Sequence, residues 1–483
     1  MQNLTDDVRV RFAPSPTGFV HIGSLRTALF NYLFARHHSG KNILRIEDTD
    51  QSRKVEGAVE NLTKNLRLLG IEFDEGPEHG GESGPYYQSE RLEIYKKYCD
   101  ELISKGAAYY AFDTTDELDE MRMLQQLEGK QTMYDGRARD LSEEQIKENL
   151  KKGMPYVIRL KVPRDEEIRF DDLIKGTIKI ETNIIDDQIL LKSDGFPTYH
   201  LANVVDDHLM SITHIIRGEE WVTSVPKHIL LYRALEWQVP KMAHVPLILN
   251  KDKSKLSKRQ GDVAVEDYLK KGYLKEALIN FIALLGWNPG EGEEQEFFDM
   301  NELTERFTLE KVQTSGAVFN IDKLNWMNNH YIKNYDIDKL TALSLPYFKN
   351  TRMDISDSGK IQKILEAVRV YLNKLDEIPE QIRIFTDTEA ILENENLEAI
   401  LREESSKKVF ELFLYKLEST DVITKDNYKA LVSEIQKETG IKGKQLHKPI
   451  RIALTGSENG PELPLIAEIF GREKIIKFLK RWL

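Results

Sequence analysis

Residues Val8 to Asp50 read VRVRFAPSPTGFVHIGSLRTALFNYLFARHHSGKNILRIEDTD, and this stretch decides the fold. Val8 to Phe12 alternates as a β-strand, and Pro14, Pro16 and Gly18 break it into a loop. From Ile22 onward Leu25, Ala28, Leu29, Tyr32 and Leu33 recur at helical spacing, and Gly40 stands where a glycine is expected to end the helix. Asn42 to Glu47 then reads as a second strand. Strand, helix and strand in this order imply parallel pairing, and the ligands of a parallel sheet collect at the carboxyl ends of its strands. The loop from Ala13 to His21 occupies that position.

Further along, from about Tyr87 to Ile185, charged helices and short strands replace the pattern, including a polar helical run from Thr114 to Gln131 and a strand-like segment from Tyr156 to Val162. This is the composition of an insertion between two halves of the sheet. Apolar alternation resumes at Gln188 to Lys192, and α/β material continues to about Pro246. After Asn325 the apolar period is helical, with long runs such as Lys360 to Leu375 and Lys407 to Leu417.

A chain of 483 residues holds several domains, and 40% apolar with 31% charged residues is the composition of a soluble globular protein. The N-terminal residues lack a basic region followed by an apolar one, and no apolar stretch is long enough to cross a bilayer, so no membrane association is expected and the expected location is the cytoplasm. A single cysteine, Cys99, excludes an internal disulfide and a cysteine-cluster zinc site. The net charge of −12 opposes nucleic-acid binding by bulk electrostatics, so any RNA must be met by local patches. One such patch is expected near the C-terminus, at Lys442, Lys444, Lys448, Arg451, Arg472, Lys474, Lys477, Lys480 and Arg481, with a solvated basic helical surface as the alternative.

Two segments carry chemistry. In the first, the loop ending in His21-Ile-Gly23-Ser24 joins a strand to a helix start. Amides there favour phosphate, Gly23 permits close approach of a nucleotide, and His21 can donate to phosphate oxygens. In the second, Lys255-Leu-Ser-Lys258-Arg259 is a cationic loop whose lysines can clamp a triphosphate and offset the charge that builds as pyrophosphate leaves. Either segment alone reads as readily as a chance His-x-Gly or a solvated charge run. Neither a GxxxxGK[ST] loop nor a GxGxxG fingerprint is present.

Together these segments resemble the HIGH and KMSKS signatures of class I aminoacyl-tRNA synthetases. The surrounding text makes the resemblance specific: Arg11-Phe-Ala-Pro-Ser-Pro-Thr-Gly18, Leu44-Arg-Ile-Glu47-Asp-Thr-Asp50, Asp194 to His208, Arg217-Gly-Glu-Glu220-Trp221 and Pro449 to Gly456. In that order they are similar to the bacterial type of glutamyl-tRNA synthetase over nearly the whole chain. Ser24 in place of a second histidine, and the KLSKR form, are both similar to those of the glutamyl branch.

The resemblance implies an α/β fold: a Rossmann-type catalytic domain split over 1–86 and 187–246, an inserted α+β domain at 87–186 for the acceptor end, a stem-contact region with the KLSKR loop at 247–325, and an all-α anticodon-binding half at 326–483 with a break near 380. It implies a glutamate–tRNA ligase using ATP and Mg²⁺, with L-glutamate and tRNA(Glu) as partners, tRNA(Gln) left open, and a monomer as the default. His21, Gly23, Lys255 and Lys258 match its catalytic positions. Arg11, Ala13, Ser15, Glu47, Tyr199, Asn203 and Arg217 match glutamate-contacting positions. His21, Gly23, Ser24, Glu220, Lys255, Leu256, Ser257, Lys258 and Arg259 match ATP-contacting ones. A dicarboxylate substrate calls for bidentate cationic recognition, which arginine supplies better than lysine. Many relatives carry a cysteine-rich zinc site in the insertion, but the matching stretches here read Tyr110-Ala-Phe-Asp113 and Tyr134-Asp-Gly-Arg-Ala138, so no structural zinc is expected.

Three rival readings remain beside this one. A glutaminyl-tRNA synthetase would carry a Pro-Glu-Pro-Asn first loop and a β-barrel C-terminal half. A short ligase that modifies a tRNA base would lack the C-terminal half. A catalytically silent RNA-binding paralogue would not need His21, Gly23, Lys255 and Lys258 intact.

Overall fold

The structure is a computed structural model that describes residues 7–53, 55–256, 264–290, 292–349 and 351–483. The described chain divides into two compact units, residues 1–268 with 278–320 and residues 269–277 with 321–483.

The first unit opens as the sequence implies. Strand β1 (Arg9–Phe12) leads through the proline loop to helix α1 (Ile22–His37) and then to β2 (Lys41–Leu44), which pairs in parallel with β1 from Arg9 opposite Lys41 to Phe12 opposite Leu44. Helix α1 is buried on most of its circumference, with Ile22, Leu25, Leu29 and Leu33 fully enclosed, because it lies between the sheet and further chain rather than on the surface. The expected helix-ending role of Gly40 falls instead to His38, followed by Ser39 at φ 53°. Gly40 is needed for a different reason: a Cβ there would run into the backbone of Val8, just before β1, so the glycine lets the chain turn tightly back into β2.

After α2 (Ala58–Leu68) and α3 (Leu92–Ser104) the chain builds β3 (Ala108–Ala111), α4 (Thr115–Leu127), α5 (Glu143–Lys151), β4 (Val157–Leu160), the hairpin β5 (Glu167–Asp172) and β6 (Gly176–Glu181), and β7 (Ile189–Leu191). Strands β3, β4 and β7 form an antiparallel sheet of their own, so the alternation that resumes at Gln188 completes this sheet before the parallel one restarts. A three-residue strand carries too little pattern to announce which sheet it joins.

Helix α6 (Tyr199–Leu209), β8 (His214–Gly218), α7 (Val225–Ala234) and β9 (Lys241–Val245) follow. Strands β8 and β9 pair in parallel over five residues each, and β9 pairs with β5 at Met242 and Asp172. Strand β1 lies beside β8, tied where the Thr213 amide donates to the Arg9 carbonyl at 2.9 Å. The chain thus leaves β1 on one side to make β2 and returns on the other as β8, which places a topological switch point at the carboxyl ends of β1 and β8. The core beneath joins Leu201, Val204 and Val205 of α6, Ile229 and Leu231 of α7, and Ile215 and Met242 of the strands.

The second unit is helical, as the spacing after Asn325 implies. Its main helices are Ile321–Asn334, Ile337–Phe348, Ser358–Val368, Glu404–Leu417, Lys425–Thr439, Lys444–Thr455 and Leu463–Lys480. One buried cluster runs from Leu340 through Leu372, Ile378, Ile382 and Phe385 to Trp482, so the core is continuous across position 380. Several cations of the expected basic patch are engaged within the unit. Arg451 donates to the Pro461 carbonyl at 2.7 Å, Arg472 to Leu417 at 2.8 Å and Lys474 to Phe385 at 3.0 Å, while Lys448 pairs with Glu458 and Arg481 with Glu389. Burial against Phe470 and Phe478 pushes the Lys474 ammonium down to about 8.

Candidate active site

A cavity of about 700 Å³ opens at the switch point. Among the described residues it is lined by every one that the sequence singles out: Arg11, Ala13, Ser15, His21, Gly23, Ser24, Glu47, Tyr199, Asn203, Arg217, Glu220, Lys255 and Leu256. Ser257, Lys258 and Arg259 lie outside the described residues. The chain on either side of them is anchored close by. The Leu256 amide donates to the Ile248 carbonyl at 2.9 Å, and the Val265 amide donates to Val20, in the first loop, at 2.9 Å.

One wall is phosphate-handling in character. His21 is the N-cap of α1, its Nδ1 accepting from the Gly23 amide at 3.0 Å. With Nδ1 accepting, the neutral ring carries its proton on Nε2 and can donate. A Cβ at Gly23 would lie 3.4 Å from that Nδ1, in contact with the cap. Gly18, at φ 144°, supplies the backbone bend that only glycine makes without strain. Opposite, the Glu220 carboxylate folds over Gly218, in space that any side chain at 218 would take.

The other wall is built on buried charge. Arg45 donates to Asp207 at 2.7 Å and to Glu47 at 3.1 Å, and Arg11 donates to the same Asp207 oxygen at 3.0 Å. Burial pushes the Asp207 carboxyl up, but the two guanidinium groups outweigh it and hold it below its ordinary value. Burial lifts Glu47 above its ordinary range despite Arg45 and Arg11. Asn203 donates to Glu47 at 3.2 Å, and its own Oδ1 is buried without a partner among the described residues. Arg217, at the end of β8, donates from Nη1 to the Tyr199 hydroxyl at 2.7 Å and from Nη2 to the Trp221 carbonyl at 3.4 Å. The Tyr199 and Trp221 rings meet at 4.4 Å.

Some of this wall escapes sequence reasoning. Trp221 stands inside a motif that draws attention to Arg217 and Glu220, and its signal is only that i+4 position. Arg45 and Asp207 also lie within recognised motifs, and nothing local says that they pair across the sheet. Arg26 lines the cavity but directs its guanidinium to the Leu285 and Pro246 carbonyls, and burial lowers it to about 10.

A parallel sheet with a histidine-capped helix at its switch point, Lys255 lining the same cavity and a following helical unit together define a class I aminoacyl-tRNA synthetase. Comparison with known proteins gives the particular branch. Residues 7–326 match the family described as tRNA synthetases class I (E and Q), catalytic domain, and residues 339–483 match an anticodon binding domain. The chain is 48% identical to the glutamate–tRNA ligase of Alkaliphilus metalliredigens, over 99% of this chain and 100% of that one, and 48% identical to that of Clostridioides difficile, over 97% of each. A crystal structure of a glutamate–tRNA ligase from Elizabethkingia meningosepticum, in complex with its amino acid, superposes with a TM-score of 0.91 at 36% identity over 99% of both chains. The chain belongs to the glutamate–tRNA ligases. Its reaction is the ATP-dependent activation of L-glutamate to glutamyl-adenylate and transfer of the glutamyl group to the 3′-terminal ribose of tRNA(Glu), releasing pyrophosphate and AMP.

Proposed function

We propose that the two walls of the cavity divide the substrates between them. Arg217, with Tyr199 beside it, takes the side-chain carboxylate of glutamate as a bidentate partner. Glu47 and the Asn203 carbonyl oxygen take the ammonium, whose arrival favours the carboxylate form of Glu47 over the protonated form that burial favours. Arg11, Ala13 and Ser15 border the same pocket. His21, the amides after it, Ser24 and Glu220 hold ATP, with Lys255, Leu256, Ser257, Lys258 and Arg259 on the triphosphate. Mg²⁺, entering with the nucleotide, would offset the negative charge of its phosphates.

The α-carboxylate of glutamate attacks the α-phosphorus in line and pyrophosphate leaves. No general base is required because the carboxylate is already ionised, so catalysis is positioning and electrostatics. The 2′-hydroxyl of the terminal adenosine then attacks the mixed anhydride and AMP departs. Residues 1–86 and 187–246 carry most of this chemistry, 87–186 receive the acceptor end, 247–325 supply the KLSKR loop and brace the stem, and 326–483 read the unpaired anticodon bases. The protein acts as a cytoplasmic monomer, without structural zinc.

The observation that carries this reading is the placement of the Arg217 guanidinium and the His21-capped helix in one cavity. Arg217→Gln tests it. The substitution should raise the KM for glutamate in ATP–pyrophosphate exchange far more than the KM for ATP, and equal losses in both would contradict the assignment.

A further inference from the structure

Arg217 reaches the cavity held from behind by a residue that does not line it. Its Nε–H donates to His244 Nε2 at 3.0 Å, and His244 Nδ1 meets Asp172 Oδ2 at 2.6 Å. Arg217 is 5% exposed, Asp172 4% and His244 fully buried, so water cannot substitute for any link. Asp172 is fixed in turn: its Oδ1 accepts from the amides of Ile174 at 3.0 Å, Lys175 at 2.9 Å and His244 at 3.3 Å. Burial pushes the Asp172 carboxyl up, but the His244 contact and these amides outweigh it and keep it ionised. A carboxylate can only accept, so Nδ1 carries the proton and Nε2 offers a lone pair to Arg217. Burial foremost, and Arg217 itself, hold the ring below its ordinary value and therefore neutral, against the pull of Asp172.

The order of the three groups matters chemically. A carboxylate placed directly on Arg217 would orient it equally well, but would offset its charge and compete for the guanidinium that the substrate needs. A neutral imidazole orients the guanidinium plane without offsetting the charge. We propose that His244 and Asp172 are positioning residues for glutamate recognition, a carboxylate–imidazole relay that fixes Arg217 while reserving its charge for the side-chain carboxylate of the substrate. The proposal rests on the reading of Arg217 given above. It draws together β5, β8 and β9, since Asp172 ends the first strand of the hairpin and pairs with Met242, two residues before His244.

The test is ATP–pyrophosphate exchange with tRNA(Glu) present, in the full chain, for wild type, His244→Ala, His244→Gln, Asp172→Asn and Arg217→Gln. Removing the relay should raise the KM for glutamate about 10–100-fold, the usual cost of losing an outer partner or a positioning contact, while the KM for ATP moves less than twofold. His244→Gln should recover most of the loss, because its amide oxygen can accept from Arg217 while its NH2 donates to Asp172. Asp172→Asn should approach His244→Ala, because an amide can donate to the ring and turn it to the wrong tautomer. A glutamate KM in His244→Ala within twofold of wild type, while Arg217→Gln is impaired, would overturn the relay and leave the Arg217 reading standing. If His244→Ala fails to fold, His244→Gln and Asp172→Asn decide: equal loss in both, with the KM for ATP rising in step, would refute the relay. An unimpaired Arg217→Gln would overturn the reading on which it rests.

Discussion

Arg11 Nε donates to Asp207 Oδ1 at 3.0 Å, joining the carboxyl end of β1 to helix α6 through side chains that are 3% and 0% exposed. Arg45 reaches the same oxygen at 2.7 Å from beyond β2. One carboxylate thus holds two buried cations behind the cavity wall to which Arg11 belongs, and removing one partner of such a cluster is far more costly than the cluster's net contribution to stability.

Asp207→Ala should therefore destabilise the catalytic unit by about 3–5 kcal/mol. Urea denaturation read at the catalytic unit checks this, and a change below about 1 kcal/mol, the scale of an exposed ion pair, would contradict it.

His21 caps α1, and substitution can separate that structural duty from the phosphate contact proposed for it. His21→Asn keeps an N-cap acceptor for α1 and should leave the melting temperature nearly unchanged, whereas His21→Ala should cost about 1 kcal/mol. Both should slow glutamyl-adenylate formation by about 100-fold, the scale for losing one donor to a developing charge. Normal adenylation by His21→Asn would show that the ring serves only the helix.

Glu75 supplies a pH dependence. Burial raises its carboxyl, but hydrogen bonds from Arg9 at 3.0 Å and Tyr86 at 2.8 Å outweigh it and bring the group down to about 2. A depressed folded value stabilises above the unfolded value of about 4.3 and is lost as pH falls towards 2. Glu75→Gln should be less stable at neutral pH, with a shallower acid dependence below about pH 4.3. Urea midpoints between neutrality and pH 3 measure this, and parallel profiles for variant and wild type would refute it.

In the inserted segment Tyr134 donates its hydroxyl to Asp113 at 2.6 Å, and the Arg159 guanidinium lies 3.8 Å over its ring. Nearby, Tyr109 donates to Asp187 at 2.5 Å, and Arg139 pairs with the same carboxylate. Hydrogen bonds can link these strands and loops without a metal. Elemental analysis should find far less than one zinc per chain, and EDTA should leave the melting temperature unchanged. Stoichiometric zinc whose removal lowers stability would contradict this.

How much of this was legible in the sequence follows the range of each interaction. The β1–α1–β2 unit could be read because alternation, proline breaks and helical spacing are local; the His21 cap emerges only in the structure, although its partner amide is two residues away. The pocket residues were legible through recognised motifs and come together in one cavity. The alternation at Gln188 to Lys192 signals a strand but not its partner, β4, because three residues carry no record of the sheet they join. His244 was invisible for the same reason on a longer scale: it lies 27 residues from Arg217 and 72 from Asp172, and only the parallel pairing of β9 with β8 on one side and β5 on the other brings the three together. The basic C-terminal residues show the converse, since charge is visible in a sequence but its internal partners, such as the Leu417 carbonyl for Arg472, are not.

The most direct test of the account is aminoacylation of separate tRNA(Glu) and tRNA(Gln) transcripts with radiolabelled glutamate and glutamine. The account predicts that glutamate is attached to tRNA(Glu) and that glutamine, which lacks the carboxylate for Arg217, is attached to neither. Transfer of glutamine, or no transfer of glutamate by an active preparation, would contradict it.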